Sequence, residues 1–104
     1  MATDARTVTE NPDLRRFELR DGDELLGWID LLPAGESVIL AHTEVSGEHE
    51  GSGYGGKLVR AALDQLAEQG MTAIPTCTFA AEYIRRHPDL AQYVDPSLRA
   101  QFAS

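Results

Sequence analysis

The residues that decide the fold are SVILAHTEVSGEHEGSGYGGKLVRAALDQLAEQGMTAIPTC, at positions 37–77. Their first part, Ser37 to Val45, is rich in β-branched and aliphatic residues and predicts a strand. A glycine-dense loop, Gly47 to Gly56, leads into a predicted helix from about Tyr54 to Gln69, whose apolar residues recur every three or four positions. Met71 to Cys77 then predicts a second strand. A strand–helix–strand crossover of this kind makes its two strands parallel.

The residues before this stretch predict an antiparallel meander. Phe17 to Arg20 alternates apolar and polar side chains, which is typical of a strand with one face in water. Leu25 to Leu32 is more apolar and predicts a more buried strand. Short turns join both of them to the Ser37–Val45 strand. Val8 to Glu10 predicts a further short strand, and residues 1–6 are expected to be frayed and disordered.

The residues after this stretch predict two further helices. Thr78 to Arg86 predicts a helix with Thr78 as its N-cap, and Pro88 ends it. Asp95-Pro96 predicts the start of a short terminal helix through about Phe102. The expected buried side of the first of these two helices consists of Phe79, Tyr83, Ala80 and Ile84. Residues 1–104 are thus expected to form a single domain of the α/β class, in its α+β form.

The composition excludes several classes of protein. The chain has 17 acidic and 9 basic residues, so it lacks the basic face that a sequence-independent nucleic-acid binder needs. An anionic membrane surface would repel it, and no segment approaches the ~20 apolar residues that span a bilayer. The single cysteine, Cys77, leaves no internal disulfide and no cysteine-rich zinc site. We therefore expect a cytoplasmic protein that holds no metal.

The Ser37–Val45 strand ends with a candidate pair for proton transfer. Strand alternation puts Val38, Leu40, His42 and Glu44 on one face, and Ile39, Ala41, Thr43 and Val45 on the other. His42 and Glu44 are therefore expected side by side, just before the loop. Histidine suits proton transfer because its ordinary pKa is about 6.5. The alternative is that His42 bonds within the sheet and Glu44 caps or bridges locally.

The loop Gly51-Ser52-Gly53-Tyr54-Gly55-Gly56-Lys57-Leu58 matches three phosphate-binding patterns. In all three, glycines let backbone N–H groups approach an anion, and the following helix points its positive end at it. The P-loop pattern fails at Leu58, where a hydroxyl should hold magnesium. The dinucleotide pattern G-x-G-x-x-G needs an acidic residue at the end of the next strand, which here ends at Thr76-Cys77. A nucleotide-binding protein of either type is therefore disfavoured.

The third pattern is the acyl-CoA loop of the GNAT superfamily of N-acetyltransferases, [QR]-x-x-G-x-[GA]. Glu50-Gly51-Ser52-Gly53-Tyr54-Gly55 fits at both glycine positions and departs at the first, where Glu50 replaces Gln or Arg. Three further blocks look similar to this family, namely His42–Val45, Pro75–Cys77 and Tyr83–Pro88. Over about Phe17 to Val94, the chain resembles the small single-domain GNAT-like N-acetyltransferases, to which bacterial YjdJ-like proteins belong.

The resemblance implies a fold and a cosubstrate. The sheet would be GNAT-like, mostly antiparallel with one splayed parallel strand pair, and flanked by helices. The pantetheine of acetyl-CoA would lie between the Ala41–Val45 and Thr72–Cys77 strands, with its pyrophosphate on the loop amides. Because a carboxylate would repel the pyrophosphate, the side chain of Glu50 is expected to point away from it. The implied cofactor-binding residues are Thr43, Val45, Glu50, Gly51, Ser52, Gly53, Tyr54, Gly55, Gly56 and Lys57.

Cys77 is the candidate nucleophile. It ends a predicted strand just before a helix N-terminus, where the field of the helix favours the thiolate. The resemblance implies a catalytic thiol at this Pro-x-Cys position, and His42 and Glu44 are the further catalytic candidates. The alternative is that a single cysteine is a small buried apolar residue. Arg85 and Arg86 are interpreted as a solvated helix end, with contact to a CoA phosphate as the alternative.

The sequence thus predicts an acetyl-CoA-dependent N-acetyltransferase. The acceptor side is expected to be open, because this small family lacks the helices that wall it in longer relatives. An acidic surface would suit a cationic amine, a polyamine or a lysine-rich peptide, but the acceptor itself is not indicated. The alternative function is a non-catalytic acyl-CoA-binding sensor or interaction module. The sequence does not indicate an oligomeric state.

Overall fold

The computed structural model describes residues 6–46 and 53–102, which contain one five-stranded sheet. Its strands lie side by side in chain order. The first four pair antiparallel and the last two pair in parallel, as the sequence predicts. The strands are β1 Arg6–Asn11, β2 Arg16–Asp21, β3 Glu24–Ala34, β4 Ser37–Val45 and β5 Thr72–Pro75.

Two α-helices and two short 3₁₀ segments complete the described chain. Helix α1 spans Tyr54–Glu68 and helix α2 spans Thr78–Arg86. The 3₁₀ segments are Pro88–Tyr93 and Arg99–Gln101. Gly70, just beyond α1, has a φ of 75°, a left-handed conformation that glycine adopts without steric cost. It ends the helix as predicted.

One apolar core lies between the sheet and the helices. Phe17, Ile29 and Leu40 of the sheet are fully buried, as are Leu58 and Leu63 of α1. Burial of each such side chain stabilises the fold by about 1.5–3 kcal/mol. The side chains between these sheet positions point away from the helices, so the sheet has a helix-packed face and an opposite face.

The parallel pair of β4 and β5 is splayed. Pairing begins at Ser37 opposite Thr72 and ends at Leu40 opposite Pro75. The last backbone bond between the two segments joins the Cys77 N–H to the Leu40 carbonyl at 3.0 Å. β4 then continues to its end without β5 beside it. Beyond Leu40 no residue of β5 pairs with β4, and Cys77 lies where the pairing ends.

A β-bulge at Ala41 changes which side chains of β4 share a face. Leu31 pairs with Leu40 and Asp30 with His42, so Ala41 is an extra residue on β4. The predicted alternation is therefore wrong across this point. Leu40 lies in the core, whereas the His42 side chain is 56% exposed. Beyond the bulge, Thr43 pairs with buried Ile29 and so shares the helix-packed face.

Glu18 corrects the prediction that β2 has one face in water. Only 4% of this residue is exposed. Its carboxylate accepts bonds from Arg16 at 2.8 Å, Arg20 at 3.0 Å and Asn11 at 3.2 Å. Burial opposes its ionisation, but these bonds outweigh burial and hold the pKa of Glu18 below its ordinary value. Arg16 and Arg20, two positions to either side on the same strand, cover the charge, which the alternation of apolar and polar residues does not reveal.

The first residue of β1 corrects the expected disorder of residues 1–6. Arg6 pairs with Asp21 on β2, so the chain is ordered one residue earlier than predicted. Its guanidinium also donates to the Tyr54 hydroxyl at 2.9 Å and lies over the Tyr54 ring. These contacts join β1 to the first turn of α1.

Helix α2 has its predicted bounds, but its start and its buried side differ. Cys77 takes the N-cap position and Thr78 is the first helical residue. Phe79 is 45% exposed, so it is not part of the buried side, which consists of Ala80, Ala81 and Ile84. The predicted terminal helix shortens to the Arg99–Gln101 turn. Asp95 does accept a bond from a nearby backbone N–H, that of Ser97.

Candidate functional site

The N-terminus of α1 faces the carboxyl end of the sheet. Gly53 precedes the helix with a φ of 78°, and its carbonyl accepts the N–H of Lys57 at 3.1 Å. The first N–H groups of a helix have no acceptor within the helix, and none of the described side chains caps this one. The positive end of the helix dipole lies at this terminus and favours an anion.

The glycines of α1 bring this helix end close to α2. A Cβ atom on Gly55 would lie 2.5 Å from the Phe79 ring, and one on Gly56 would lie 2.5 Å from the Tyr83 ring. Both distances are far below contact distance, so only glycine permits this packing. The first turn of α1 therefore packs on α2, the helix that begins directly after Cys77.

The predicted loop residues divide between described and undescribed parts of the chain. Glu50, Gly51 and Ser52 lie outside the described residues. The described part of the predicted set begins at Gly53 and continues through Tyr54, Gly55, Gly56 and Lys57 in the first turn of α1. Thr43 and Val45, the predicted pantetheine contacts, lie on β4 beyond its last pair with β5.

The Cys77 thiol is buried against β4. Its sulfur lies 3.3 Å from the Thr43 hydroxyl oxygen, and the residue is 9% exposed. Burial opposes ionisation of the thiol. Hydrogen bonds from the Thr43 side chain and from the backbone of Ala80 and Phe79 act in the other direction and hold the pKa of Cys77 below its ordinary value. The thiol is thus set up to ionise more readily than a free cysteine.

His42 and Glu44 form a second pair. The His42 Nε2 and Glu44 Oε1 atoms are 3.0 Å apart, and both side chains are about half exposed. They flank Thr43 on β4, so they lie on the face opposite to the one that Thr43 shares with the core. The structure therefore brings Cys77 to Thr43 and His42 to Glu44, but places the two pairs on opposite faces of β4.

Thr43 has one role at the site that the sequence does not indicate, namely its bond to the Cys77 thiol. The sequence predicts it as a pantetheine contact, yet its hydroxyl also bonds the thiol. The bulge at Ala41 sets its orientation. No signal in the sequence marks this bulge, because apolar residues occupy even and odd positions alike from Val38 to Ala41.

Among residues 6–46 and 53–102, no three His, Cys, Asp or Glu side chains group closely enough to hold a metal ion. Within those ranges, too, neither helix is both long and apolar enough to cross a bilayer.

Comparisons with known proteins agree with this architecture. A model of the GCN5-related N-acetyl-transferase family matches residues 16–94. Protein NATD1 of Gallus gallus is 38% identical over 58 residues, which is 56% of this chain and 52% of that protein. Protein NATD1 of Homo sapiens is 38% identical over 58 residues, 56% of this chain and 50% of that protein. The chain thus spans about half the length of the curated relatives it matches.

A solved structure shares the fold. A GCN5-like protein from Staphylococcus aureus, determined by NMR, matches with a TM-score of 0.66 at 21% identity. The match covers 90% of this chain and 91% of that one. The predicted sheet, with its splayed parallel pair and flanking helices, is therefore confirmed as a fold.

Proposed function

The chain belongs to the GCN5-related N-acetyl-transferase family, and from this premise we propose that it transfers an acetyl group from acetyl-CoA to an amine. Membership of this family supports the predicted acetyltransferase activity. The dependence on acetyl-CoA and the amine acceptor are the proposal. The observation that carries it is the end of β4 beyond Leu40, which no β5 residue pairs with and beside which the Cys77 thiol lies.

The chemical groups of acetyl-CoA match this end of β4 and the N-terminus of α1. Its pyrophosphate is an anion, and the end of α1 at Gly53 favours one. Its pantetheine carries two amides, which can bond to a strand edge in the way an added strand does. The edge of β4 from Ala41 to Val45 has no β5 residue beside it. The thioester would then lie near Cys77.

We propose that the Cys77 thiolate is the nucleophile. Its sulfur attacks the thioester carbonyl, a new C–S bond forms as the bond to the CoA sulfur breaks, and the CoA thiolate takes up a proton from water. An amine then attacks the acetyl-cysteine, forming an amide and releasing the Cys77 thiolate. Thr43 holds the sulfur in position at 3.3 Å. The exposed pair of His42 and Glu44 is proposed to take the proton from the incoming amine.

The test is intact-mass measurement after incubation with acetyl-CoA. Wild-type protein should gain the mass of one acetyl group, and Cys77→Ala should not. A subsequent addition of amine should discharge the adduct and give an acetylated amine. Circular dichroism of Cys77→Ala and Cys77→Ser controls for folding. Transfer by Cys77→Ala at the wild-type rate would overturn the thiol route in favour of direct attack by the amine on acetyl-CoA.

One observation favours the non-catalytic alternative, an acyl-CoA-binding module. The sheet face that carries Asp30, His42 and Glu44 is partly exposed, and none of the described helices packs on it. An acceptor there would have few walls to orient it. Saturable binding of CoA without transfer to a panel of alkylamines, polyamines and lysine peptides would favour the module over the enzyme.

A further inference from the structure

A cavity of about 700 Å³ lies between the first turn of α1 and one side of α2. That volume is within the range of about 300–1,000 Å³ typical of small-molecule sites. The lining includes Gly53 just before α1 and Gly56 in its first turn. From α2 it includes Phe79, Glu82, Tyr83 and Arg86. The α2 positions recur at intervals of three and four, so they form one stripe of the helix. The cavity adjoins the helix end where the proposed pyrophosphate would bind.

Phe79 supplies an aromatic surface in this cavity. It is one of three large apolar side chains that are well exposed among the described residues, at 45%. Its ring stacks on Tyr83 with 6.4 Å between the centroids, and Tyr83 stacks on His87 at 4.2 Å. Close contact with Gly55 supports the ring from α1. A supported ring that stays exposed is suited to stacking with a planar base.

Arg86 supplies an uncommitted positive charge. Its neighbour Arg85 is bonded to Glu82 at 3.1 Å and lies over the Phe102 ring. Arg86 makes no ion pair or hydrogen bond with any described residue. The bond to Arg85 also offsets the charge of Glu82, the acidic residue of the lining. The cavity therefore favours an anion, although the chain as a whole carries a formal charge of −8.

We propose that this cavity binds the adenosine 3′-phosphate end of CoA, with adenine against the Phe79 ring and the 3′-phosphate on Arg86. The proposal rests on the proposed function, because it assumes that the pyrophosphate lies at the N-terminus of α1. Phe79 and Arg86 are seven residues apart, or about 10 Å along the helix axis, which is comparable with the length of a nucleoside phosphate. An arginine binds phosphate well because its planar fork can donate two hydrogen bonds.

Calorimetric titration of the full chain with CoA and with dephospho-CoA, which lacks the 3′-phosphate, tests this assignment. Wild-type protein should bind CoA roughly tenfold more tightly than dephospho-CoA, as expected for one charge-assisted contact. Arg86→Gln should bring that ratio close to one. Arg15→Gln, which removes the same charge from an exposed residue outside the lining, is the matched control and should keep the ratio. Phe79→Ala should weaken both ligands roughly tenfold, since stacking does not depend on the phosphate.

The possible results separate this proposal from the proposed function. A wild-type ratio near one, equal weakening of both ligands by Arg86→Gln, or wild-type affinity in Phe79→Ala would overturn the cavity assignment. Transfer from acetyl-CoA would then still support the enzyme. The predicted ratios without any transfer would support the cavity and overturn the enzyme. Phe79 and Arg86 are both exposed, so neither Phe79→Ala nor Arg86→Gln should affect folding. Unfolding curves of the variants control for this.

Discussion

The Cys77 sulfur lies 3.3 Å from the Thr43 hydroxyl, although 34 positions separate the two residues in the sequence. The parallel pairing of β4 with β5 makes this contact possible, because it ends at Leu40 and leaves Thr43 and Cys77 just beyond it. A short parallel pair thus fixes the position of the thiol relative to β4. The hydroxyl is also a hydrogen-bond donor that can stabilise the thiolate.

Removal of the Thr43 hydroxyl should raise the pKa of Cys77. Thr43→Val keeps the size of the side chain but loses a hydrogen bond worth about 1 kcal/mol, which corresponds to somewhat less than one pH unit. The rate of alkylation by iodoacetamide, measured across pH, should therefore have its midpoint at higher pH than in wild type. Thr43→Ser should retain the wild-type midpoint. An unchanged midpoint in Thr43→Val would show that the hydroxyl does not support the thiolate.

The proposed roles of the two residue pairs predict a separation of two reaction steps. His42→Gln should leave the rate of Cys77 acetylation unchanged, because the thiol is bonded to Thr43 and His42 is bonded to Glu44. It should slow transfer from the acetyl-cysteine to an amine by about 100-fold or more, the usual effect of losing a general base. Rapid-quench mass spectrometry measures both steps. Equal slowing of both would contradict the assignment.

Buried Glu18 should make stability depend on pH. Its folded-state pKa is below its ordinary value of 4.5. Its contribution to the free energy of unfolding is therefore complete above the unfolded-state pKa and is lost as pH falls through the lower folded-state pKa. Glu18→Gln should lower the free energy of unfolding at pH 7 by about 1–3 kcal/mol and weaken the acid dependence. Urea unfolding at several pH values measures both, with exposed Glu68→Gln as control.

The two glycines of α1 should differ in their tolerance of alanine. Alanine in a helix gains about 1 kcal/mol over glycine, whereas overpacking costs about 1–3 kcal/mol. At Gly55 the Cβ would meet half-exposed Phe79, whose ring can rotate outward. At Gly56 it would meet Tyr83, which is stacked on His87 and has less room. Thermal unfolding should show Gly56→Ala less stable than Gly55→Ala, and the reverse order would contradict this packing.

Local patterns in the sequence predict the elements of this fold better than the faces of those elements. Ser37–Val45 and Thr78–Arg86 have their predicted bounds, because alternation, a capping site and Pro88 act locally. The orientation of His42 depends on its register with β3, which no window of sequence contains. Glu18 is covered by Arg16 and Arg20 of its own strand, an ion pairing that the apolar–polar alternation does not predict. Phe79 follows the helical spacing of a buried residue. It remains exposed because the side of α2 that carries it borders a cavity instead of a second layer.

The extra residue at Ala41 shifts the alternation of side chains in β4, so that odd-numbered residues after it share a face with even-numbered Leu40 before it. In a regular strand, residues on one side are separated by even numbers of positions, yet Leu40 and Thr43 are three positions apart. Ala41 absorbs the difference. One strand thereby anchors the core through Leu40, supports the thiol through Thr43, and presents His42 on the opposite side. Under the proposed function, acetyl-CoA approaches β4 from the face that carries Thr43, and the amine approaches from the face that carries His42.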